Sequence, residues 1–352
     1  MHTAIGGMSK RIYRAGMVGL ALALAVASGC VSAEPKAVDG GAWRVLRNSV
    51  VSLPAWSPGG HCIAFVTEDE SDDIGMPGRA SIWLAALKQG QISSIRRLVR
   101  VTRDDGIPTA LFWLGKTKIG WAASRYPKHD NSFRFVQMGL RDRRPRPLID
   151  RSFTGVQGTG EVGGFGAPDD VYYDAGSRTL LFSAALPPDN DVYVRILSLA
   201  TGEVRITCMP HAKGLAYPDG YVSCVTLCGS VGSSKNPRLY LAACILDQRS
   251  GYYFWRSDSW RLRQDKVLAI SQQILSFPRT SPNGKLLAYV RKGTQIMLRD
   301  LASGKERALV GEFHLGQGCP FSWSPDGKRL VYGDGARIKI VRVVPDATSG
   351  KE

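Results

Sequence analysis

The sequence predicts an all-β fold, a β-propeller of four-stranded antiparallel blades, with six blades favoured and seven as the alternative. Three observations predict this fold. A motif of an aromatic residue, a Pro/Gly turn and a short apolar strand recurs, a second hairpin follows each copy, and long helical periodicity is absent after residue 30. With 352 residues, 44% of them apolar, the chain can bury a large core, which excludes a disordered protein.

The first thirty residues have the layout of an export signal. Three positive residues precede the apolar stretch Ala15–Val26, and small residues lead into Cys30. Ala-Ser-Gly-Cys at 27–30 resembles the lipobox of bacterial lipoproteins, although those proteins usually have Leu or Val where this chain has Ala27. The resemblance implies that residues 1–29 are removed and that Cys30 is lipidated. A plain cleaved signal and an uncleaved anchor helix are the alternatives.

The lipobox resemblance also predicts the location of the protein and the division of the chain. No Asp lies beside Cys30 to retain the protein at the inner membrane, so the resemblance implies an outer-membrane lipoprotein that faces the periplasm. Residues 30–41 are then a flexible tether, 42–346 the propeller and 347–352 a short tail. The chain is expected to be a monomer.

The net charge restricts the partners. The chain has a formal charge of +16, and the loss of residues 1–29 removes three positive charges and no negative ones, which leaves +13. Outside the cytoplasm such a surface rarely meets nucleic acid, so anionic lipid headgroups, lipopolysaccharide phosphates or an acidic protein are better candidates. The densest basic cluster, 141–148, is interpreted as a solvated outer turn that could contact such an anionic surface.

Six segments share the repeat motif. In Trp-Ser-Pro-Asp-Gly at 323–327, Pro fixes one corner of the turn, Asp bonds its own backbone and Gly takes the left-handed conformation. The flanking strands must therefore reverse direction, and a further alternating hairpin, clearest at 295–310, completes four strands per unit. The six copies are at 55–66, 112–123, 172–184, 216–227, 279–290 and 321–333. Their tryptophans, Trp56, Trp113 and Trp323, are expected to pack between blades rather than to stack on ligands.

Two copies carry a family resemblance. Trp-Ser-Pro-Asp-Gly-Lys-x-Leu-x-Tyr at 323–332 and x-Ile-x-Leu-x-Asp-Leu-x-x-Gly at 295–304 resemble the WD-repeat-like motif of TolB-type propellers. The resemblance covers most of residues 43–344 and implies a non-catalytic binding platform at the cell envelope. TolB-type proteins carry an α/β domain before the propeller, and the sequence offers only the short tether in that place. The contacts of that domain are therefore not carried over.

The ends of the chain are expected to close the ring. The last repeat is followed by only one further strand, 337–344, and the segment 43–50 precedes the first repeat without a partner of its own. Pairing these two segments would remove two open sheet edges.

Strand order assigns the connections to two faces. With the strands of a blade labelled A to D from the axis outward, the A–B and C–D turns share one face, here called the turn face. The longer B–C and D–A connections share the other, here called the loop-rich face, which we expect to bind a protein, peptide or glycan because binding residues concentrate on variable loops. The candidate binding positions there are Glu68, Asp73, Tyr126, His129, Phe153, Gly160, Phe165 and Gln317.

An enzyme is the alternative interpretation. A propeller-type lyase or glycan-processing enzyme could use His211, His314, Arg279 and Lys213 at the central channel. Nucleophile-elbow and zinc-protease motifs are absent from the sequence, so a non-catalytic scaffold is favoured, and no cofactor or metal is expected. Gly-x-Gly-x-x-Gly at 158–163 does not open a helix, so it does not predict a nucleotide site.

The remaining cysteines leave two alternatives open. An oxidising compartment permits disulfides, but several cysteines lie in apolar strand-like runs where a free thiol packs well. The pairing of these six is not predicted: Cys62, Cys208, Cys224, Cys228, Cys244 and Cys319.

Overall fold

The computed structural model describes most of the predicted propeller region. The described residues are 36–38, 42–44, 49–71, 77–124, 132–154, 171–183, 192–209, 221–233, 236–246, 251–257, 266–271, 275–314 and 319–343. Residues 34–352 form one compact unit, and Met1–Ala33 separates as another unit that lies outside the described residues, together with the predicted tail. The described residues contain strands and turns but no helix, so the all-β prediction is confirmed.

The strands of the described residues pair antiparallel in six sheets. Two short strands come first, β1 (Lys36–Val38) and β2 (Ala42–Arg44). Five four-stranded sheets follow, which we call blades 1 to 5. Blade 1 contains β3 (Val50–Trp56), β4 (Cys62–Ser71), β5 (Pro77–Lys88) and β6 (Gln91–Thr102). Blade 2 contains β7 (Ile107–Trp113), β8 (Lys118–Ser124), β9 (Ser132–Gly139) and β10 (Arg146–Thr154).

The second half of the chain continues the same pattern. Blade 3 contains β11 (Val171–Asp174), β12 (Thr179–Ser183), β13 (Val192–Ser198) and β14 (Val204–Met209). Blade 4 contains β15 (Tyr221–Ser233), β16 (Asn236–Leu246), β17 (Gly251–Ser257) and β18 (Lys266–Ser271). Blade 5 contains β19 (Leu275–Thr280), β20 (Leu286–Arg291), β21 (Gln295–Asp300) and β22 (Glu306–Val310). The last sheet, here called the closing sheet, joins β1 and β2 to β23 (Phe321–Trp323), β24 (Arg329–Asp334) and β25 (Arg337–Arg342).

The five four-stranded antiparallel blades are arranged as a β-propeller, which confirms the predicted architecture. The predicted number of four-stranded blades is wrong, because the described residues form five of them and neither six nor seven. The closing sheet differs from the blades because it has five strands, in the order β1-β2-β25-β24-β23, and takes them from both ends of the chain.

The core lies between neighbouring sheets. In chain order β3 contacts β7, β7 contacts β11, β11 contacts β15 and β15 contacts β19, while β3 also contacts β23 and β24. Buried apolar side chains fill the interfaces, among them Trp121 and Ile119 between blades 1 and 2 and Phe182 between blades 2 and 3. The first strands therefore form the inner wall of the ring, while most of the fully buried side chains come from the second and third strands.

Tryptophans of the repeat hydrogen-bond from one sheet to the next. The indole Nε1 of Trp113 in blade 2 donates to the carbonyl of Ala55 in blade 1 at 3.0 Å. The indole of Trp323 in the closing sheet donates to the carbonyl of Arg279 in blade 5 at 3.1 Å. Both residues and Trp56 are buried, so the predicted packing role of the three tryptophans is confirmed.

The serine of the repeat builds the A–B turn. The hydroxyls of Ser57, Ser281 and Ser324 each accept a hydrogen bond from the backbone N–H five residues later, at 2.9–3.0 Å. In the closing sheet, Gly327 has a φ of +67° and the Asp326 carboxylate accepts from the N–H of Lys328 at 3.0 Å. The local chemistry expected from Ser-Pro-Asp-Gly is thus the chemistry observed.

The closing sheet joins the two ends of the ring. Trp43 pairs with Ile338 and Arg44 pairs with Arg337, which confirms the predicted pairing at these positions. The first inner strand adds two backbone hydrogen bonds, from the Val51 N–H to Gly335 O at 2.8 Å and from the Leu53 N–H to Cys319 O at 3.1 Å. Blade 1 is therefore hydrogen-bonded directly to the closing sheet.

Gly333 allows this close approach. A Cβ atom at this position would lie 2.2 Å from the backbone oxygen of Val51 and 3.2 Å from its Cβ. Because a backbone oxygen cannot rotate away as a flexible side chain could, any larger residue must separate β24 from β3.

Replacing Gly333 with Ala should lower the free energy of unfolding by about 1–3 kcal/mol, since overpacking a tight interface costs that much. Urea denaturation of the full chain measures the change. Gly311→Ala is the matched control, because a Cβ there meets no atom within 4 Å. Equal stability of the two variants would contradict the close approach of β24 and β3.

Candidate functional site

A cavity of about 260 Å³ lies at the centre of the ring. Its lining comes from the first strands β3, β7, β11, β19 and β23 and from the turn after β19. Pockets for drug-sized ligands have volumes of about 300–1,000 Å³. The central cavity therefore suits a single inserted group, such as a side chain or a chain end of a larger partner.

The lining of the central cavity is half apolar and half polar. Leu53, Leu111 and Phe321 supply apolar surface, while Tyr172 and Arg279 supply a phenol and a guanidinium. Of the predicted catalytic candidates, Arg279 is the one that the structure places here. Its guanidinium donates to the carbonyl of Pro278 at 3.0 Å, and its own carbonyl accepts from an indole of the closing sheet. The backbone of Arg279 is thus joined to the closing sheet, and its guanidinium turns back to the preceding residue.

Two bulges shape the wall of the cavity. Leu53 has a φ of 48° and Phe277 a φ of 55°, and each precedes a proline. The strand register shifts at the same places, between Ser52 and Ala55 in blade 1 and between Ser276 and Arg279 in blade 5. A bulge rotates the residues that follow it, so these bulges determine which side chains, Arg279 included, face the cavity. Positive φ is costly for bulky residues such as Leu53 and Phe277 and is concentrated at functional sites.

His314, the second described candidate, lies elsewhere. Its side chain is 91% exposed and it is not among the residues that line the central cavity. The backbone N–H of His314 donates to Asp334 Oδ1 at 3.0 Å, and the ring Nδ1 lies 3.2 Å from the same oxygen. The other oxygen of Asp334 accepts from the ammonium of Lys339. His314 therefore lies on the loop-rich face, where the D–A loop meets the β24–β25 turn, and does not line the central cavity.

Asp334 is the centre of this contact. Burial by itself would raise the pKa of the carboxyl, but hydrogen bonds from Lys339 and His314 outweigh burial and hold the pKa below its ordinary value. Sequence reasoning missed this residue. A signal was present, because Asp334-Gly335 is an Asp-Gly turn between two strands, and that turn belongs to the same face as the D–A loop.

Most other predicted site residues lie outside the described residues. Glu68 is described and lies within β4, paired with Val50 and Ala80, rather than in a loop. Phe153 is also not a loop residue. It lies within β10, is 5% exposed, and its ring centroid lies 5.5 Å from those of Phe133 and Phe135. Outside the described residues are His211, Lys213, Asp73, Tyr126, His129, Gly160, Phe165 and Gln317.

Two cysteines have described side chains, and both are free thiols. Cys319 is buried, and burial raises the pKa of the Cys62 thiol although nearby Arg96 opposes the shift. Cys224 and Cys244 are opposite each other in the β15–β16 register, but their side chains, like those of Cys208 and Cys228, lie outside the described part of the chain. The described side chains form no group of three metal-binding residues, and none of the described elements is a helix able to cross a membrane.

A second cavity, of about 360 Å³, lies on the turn face between blade 1 and the closing sheet. The A–B and C–D turns of blade 1 and the A–B turn of the closing sheet line it together, which confirms that these turns share one face. The guanidinium of Arg329 bridges the two sheets there. It lies 5.2 Å from the ring centroid of Trp56 and donates to Gly90 O at 3.3 Å.

The comparison with known proteins adds no relative. No protein-family model matches the chain, and no curated protein matches it. The chemistry of the two faces and of the central cavity is therefore the basis for a functional proposal.

Replacing Asp334 with Asn should make the free energy of unfolding less dependent on pH below about pH 4. A carboxyl with a depressed pKa stabilises the fold fully above its ordinary pKa of 3.8, and this stabilisation is lost as the pH falls through the lower folded pKa. The free energy of unfolding, measured by urea at about pH 7 and about pH 3, should fall less in Asp334→Asn than in wild type. The exposed Asp104→Asn is the control, and an identical pH dependence of wild type and Asp334→Asn would contradict the assignment.

Proposed function

We propose that the protein is a lipid-anchored, non-catalytic binding scaffold of the bacterial cell envelope, which binds a protein, peptide or glycan through its loop-rich face. One observation carries the proposal. The three longest connections between strands, 155–170, 210–220 and 311–320, all fall on the loop-rich face. On the turn face, the connection 258–265 alone among those between the described strands exceeds six residues.

The proposed location follows from the N-terminal sequence. Lipidation at Cys30 would hold the protein at the outer membrane, facing the periplasm, as the lipobox resemblance implies. A TolB-like role as a binding platform agrees with this location. The side chains of the closing sheet pack against blade 5 on one side and blade 1 on the other.

The central cavity supports the binding of an inserted group. Its volume of about 260 Å³ and the guanidinium of Arg279 suit an acidic side chain or a carboxyl end that projects from a larger partner. The larger partner would then rest on the surrounding loops, where most of the contact area would lie.

The enzyme alternative keeps one supporting observation, the position of Arg279 in the cavity wall. A lyase would also need a general base beside Arg279. His211→Ala discriminates the two proposals, because an enzyme should lose turnover while a scaffold should keep its binding.

Capture from cross-linked cells tests the scaffold proposal. The tagged full chain should capture one envelope protein, identified by mass spectrometry. Replacing 157–166 by a Gly/Ser segment of equal length should abolish that capture, because it removes the longest connection of the loop-rich face and spares Phe153 in the core.

The matched control changes the opposite face. Replacing 258–265, the connection between β17 and β18, by a Gly/Ser segment should leave the capture intact, because this C–D connection belongs to the turn face. The same capture by all three chains would contradict binding through the long loop of blade 2. Capture of no protein by any chain would contradict a protein partner and favour a glycan.

A further inference from the structure

The turn face of blade 2 carries a dense group of positive charges. One carboxylate lies among them, Asp142, whose oxygen is 3.9 Å from the guanidinium of Arg146. Six exposed cations define this surface, here called the basic patch: Arg96, Lys116, Arg141, Arg143, Arg144 and Arg146. The charged residues of 141–148 are all exposed, as expected, but the turn ends at Pro145 and Arg146 begins β10.

Backbone contacts make the basic patch one surface. The guanidinium of Arg96, on the outer strand of blade 1, donates to Leu140 O at 2.8 Å. The N–H of Leu140 donates to Thr117 O at 2.9 Å, which joins the two turns of blade 2. Asp142 accepts from the N–H of Gly139 at 3.0 Å and so closes the turn that carries the arginines. The cations are thus held on rigid turns.

Carboxylates elsewhere on the turn face do not neutralise the basic patch. Asp174, Asp300 and Asp326 each accept hydrogen bonds from backbone N–H groups of their own turns. The backbone N–H of Ser303 lowers the pKa of Asp300, and the hydroxyl of Ser324 lowers that of Asp326. These carboxylates are used to build turns.

Apart from Arg146, the cations of the basic patch have no acidic partner among the described residues. Among the described residues, Arg141, Arg143 and Arg144 make no ion pair. Residues 68–71 of the acidic run end β4, next to the B–C connection, and so lie towards the loop-rich face. The basic patch therefore lies towards the opposite face from these carboxylates, and it is the part of the molecule that would be attracted to a polyanionic surface.

We propose that the basic patch docks the propeller on the phosphate groups of an anionic phospholipid membrane. Arginine suits this role because its planar donors match phosphate oxygens in pairs. The proposal rests on the proposed lipid anchor. Six peptide units join Cys30 to Lys36 and reach at most about 20 Å, which would keep the ring near the bilayer. Lys36 lies at the loop-rich end of β1, opposite Arg44, so the tether would have to follow the edge of the closing sheet for the turn face to dock. Docked in this way, the protein would present its loop-rich face away from the membrane.

Hydrogen exchange on the lipidated full chain tests the docking. The chain is reconstituted in phosphatidylcholine vesicles with and without about 30% phosphatidylglycerol. Amides of 140–145 should exchange several-fold more slowly in the anionic vesicles, and high salt should remove the difference because it screens the charges. Two cations at an anionic surface change a docking equilibrium about 30-fold, so Arg143→Glu with Arg144→Glu should abolish the protection.

A second double variant controls for net charge. Lys292→Glu with Arg337→Glu changes the charge equally but on exposed residues of the loop-rich face, so the protection of 140–145 should persist. Loss of protection in both double variants, or in neither, would overturn the proposal. Protection of 292–294 instead would also overturn it, as would protection of 140–145 by a DNA duplex but not by vesicles. The mass of the N-terminal peptide reports lipidation separately, so failure of the anchor and failure of docking are distinguishable.

Discussion

The structure depends on one constraint, the closure of a ring whose ends are the ends of the chain. Open sheet edges expose unpaired backbone groups, so the first and last sheets must satisfy each other. They do so through the pairing of β2 with β25 and through the bonds from Val51 and Leu53 to Gly335 and Cys319. These contacts join residues as far apart as Arg44 and Arg337, so closure belongs to the slow, non-local part of folding.

Closure gives the two faces and the cavity their fixed positions. Each first strand packs on the next, and the indoles of Trp113 and Trp323 bond across the interfaces, so the inner wall cannot shift one blade at a time. The bulges at Leu53 and Phe277 are held in costly backbone conformations within this wall. A rigid ring with a small polar cavity can accept one projecting group with little loss of its own conformational entropy, which favours binding.

The features set by local chemistry could be predicted from the sequence. Ser-Pro-Asp-Gly specifies its own turn, and the unpaired segment before the first repeat had one obvious partner at the end of the chain. Features set by tertiary contacts could not. β1 lies in a segment without strand periodicity, Phe153 borders a Gly-rich stretch yet joins a phenylalanine cluster, and His314 is placed by its hydrogen bond to Asp334 rather than by the loop that carries it.

The order of the N-terminal strands has a mechanical consequence. β1 pairs antiparallel with β2, with Lys36 opposite Arg44 and Val38 opposite Ala42, so it forms the outer arm of a hairpin on the closing sheet. Tension applied at Lys36 must separate the pairs of this hairpin one after another, beginning at its open end, before it reaches the pairing of β2 with β25. Each separated pair lengthens the chain before the ring is loaded, so a pull on the N-terminus extends the hairpin first and leaves the ring closed.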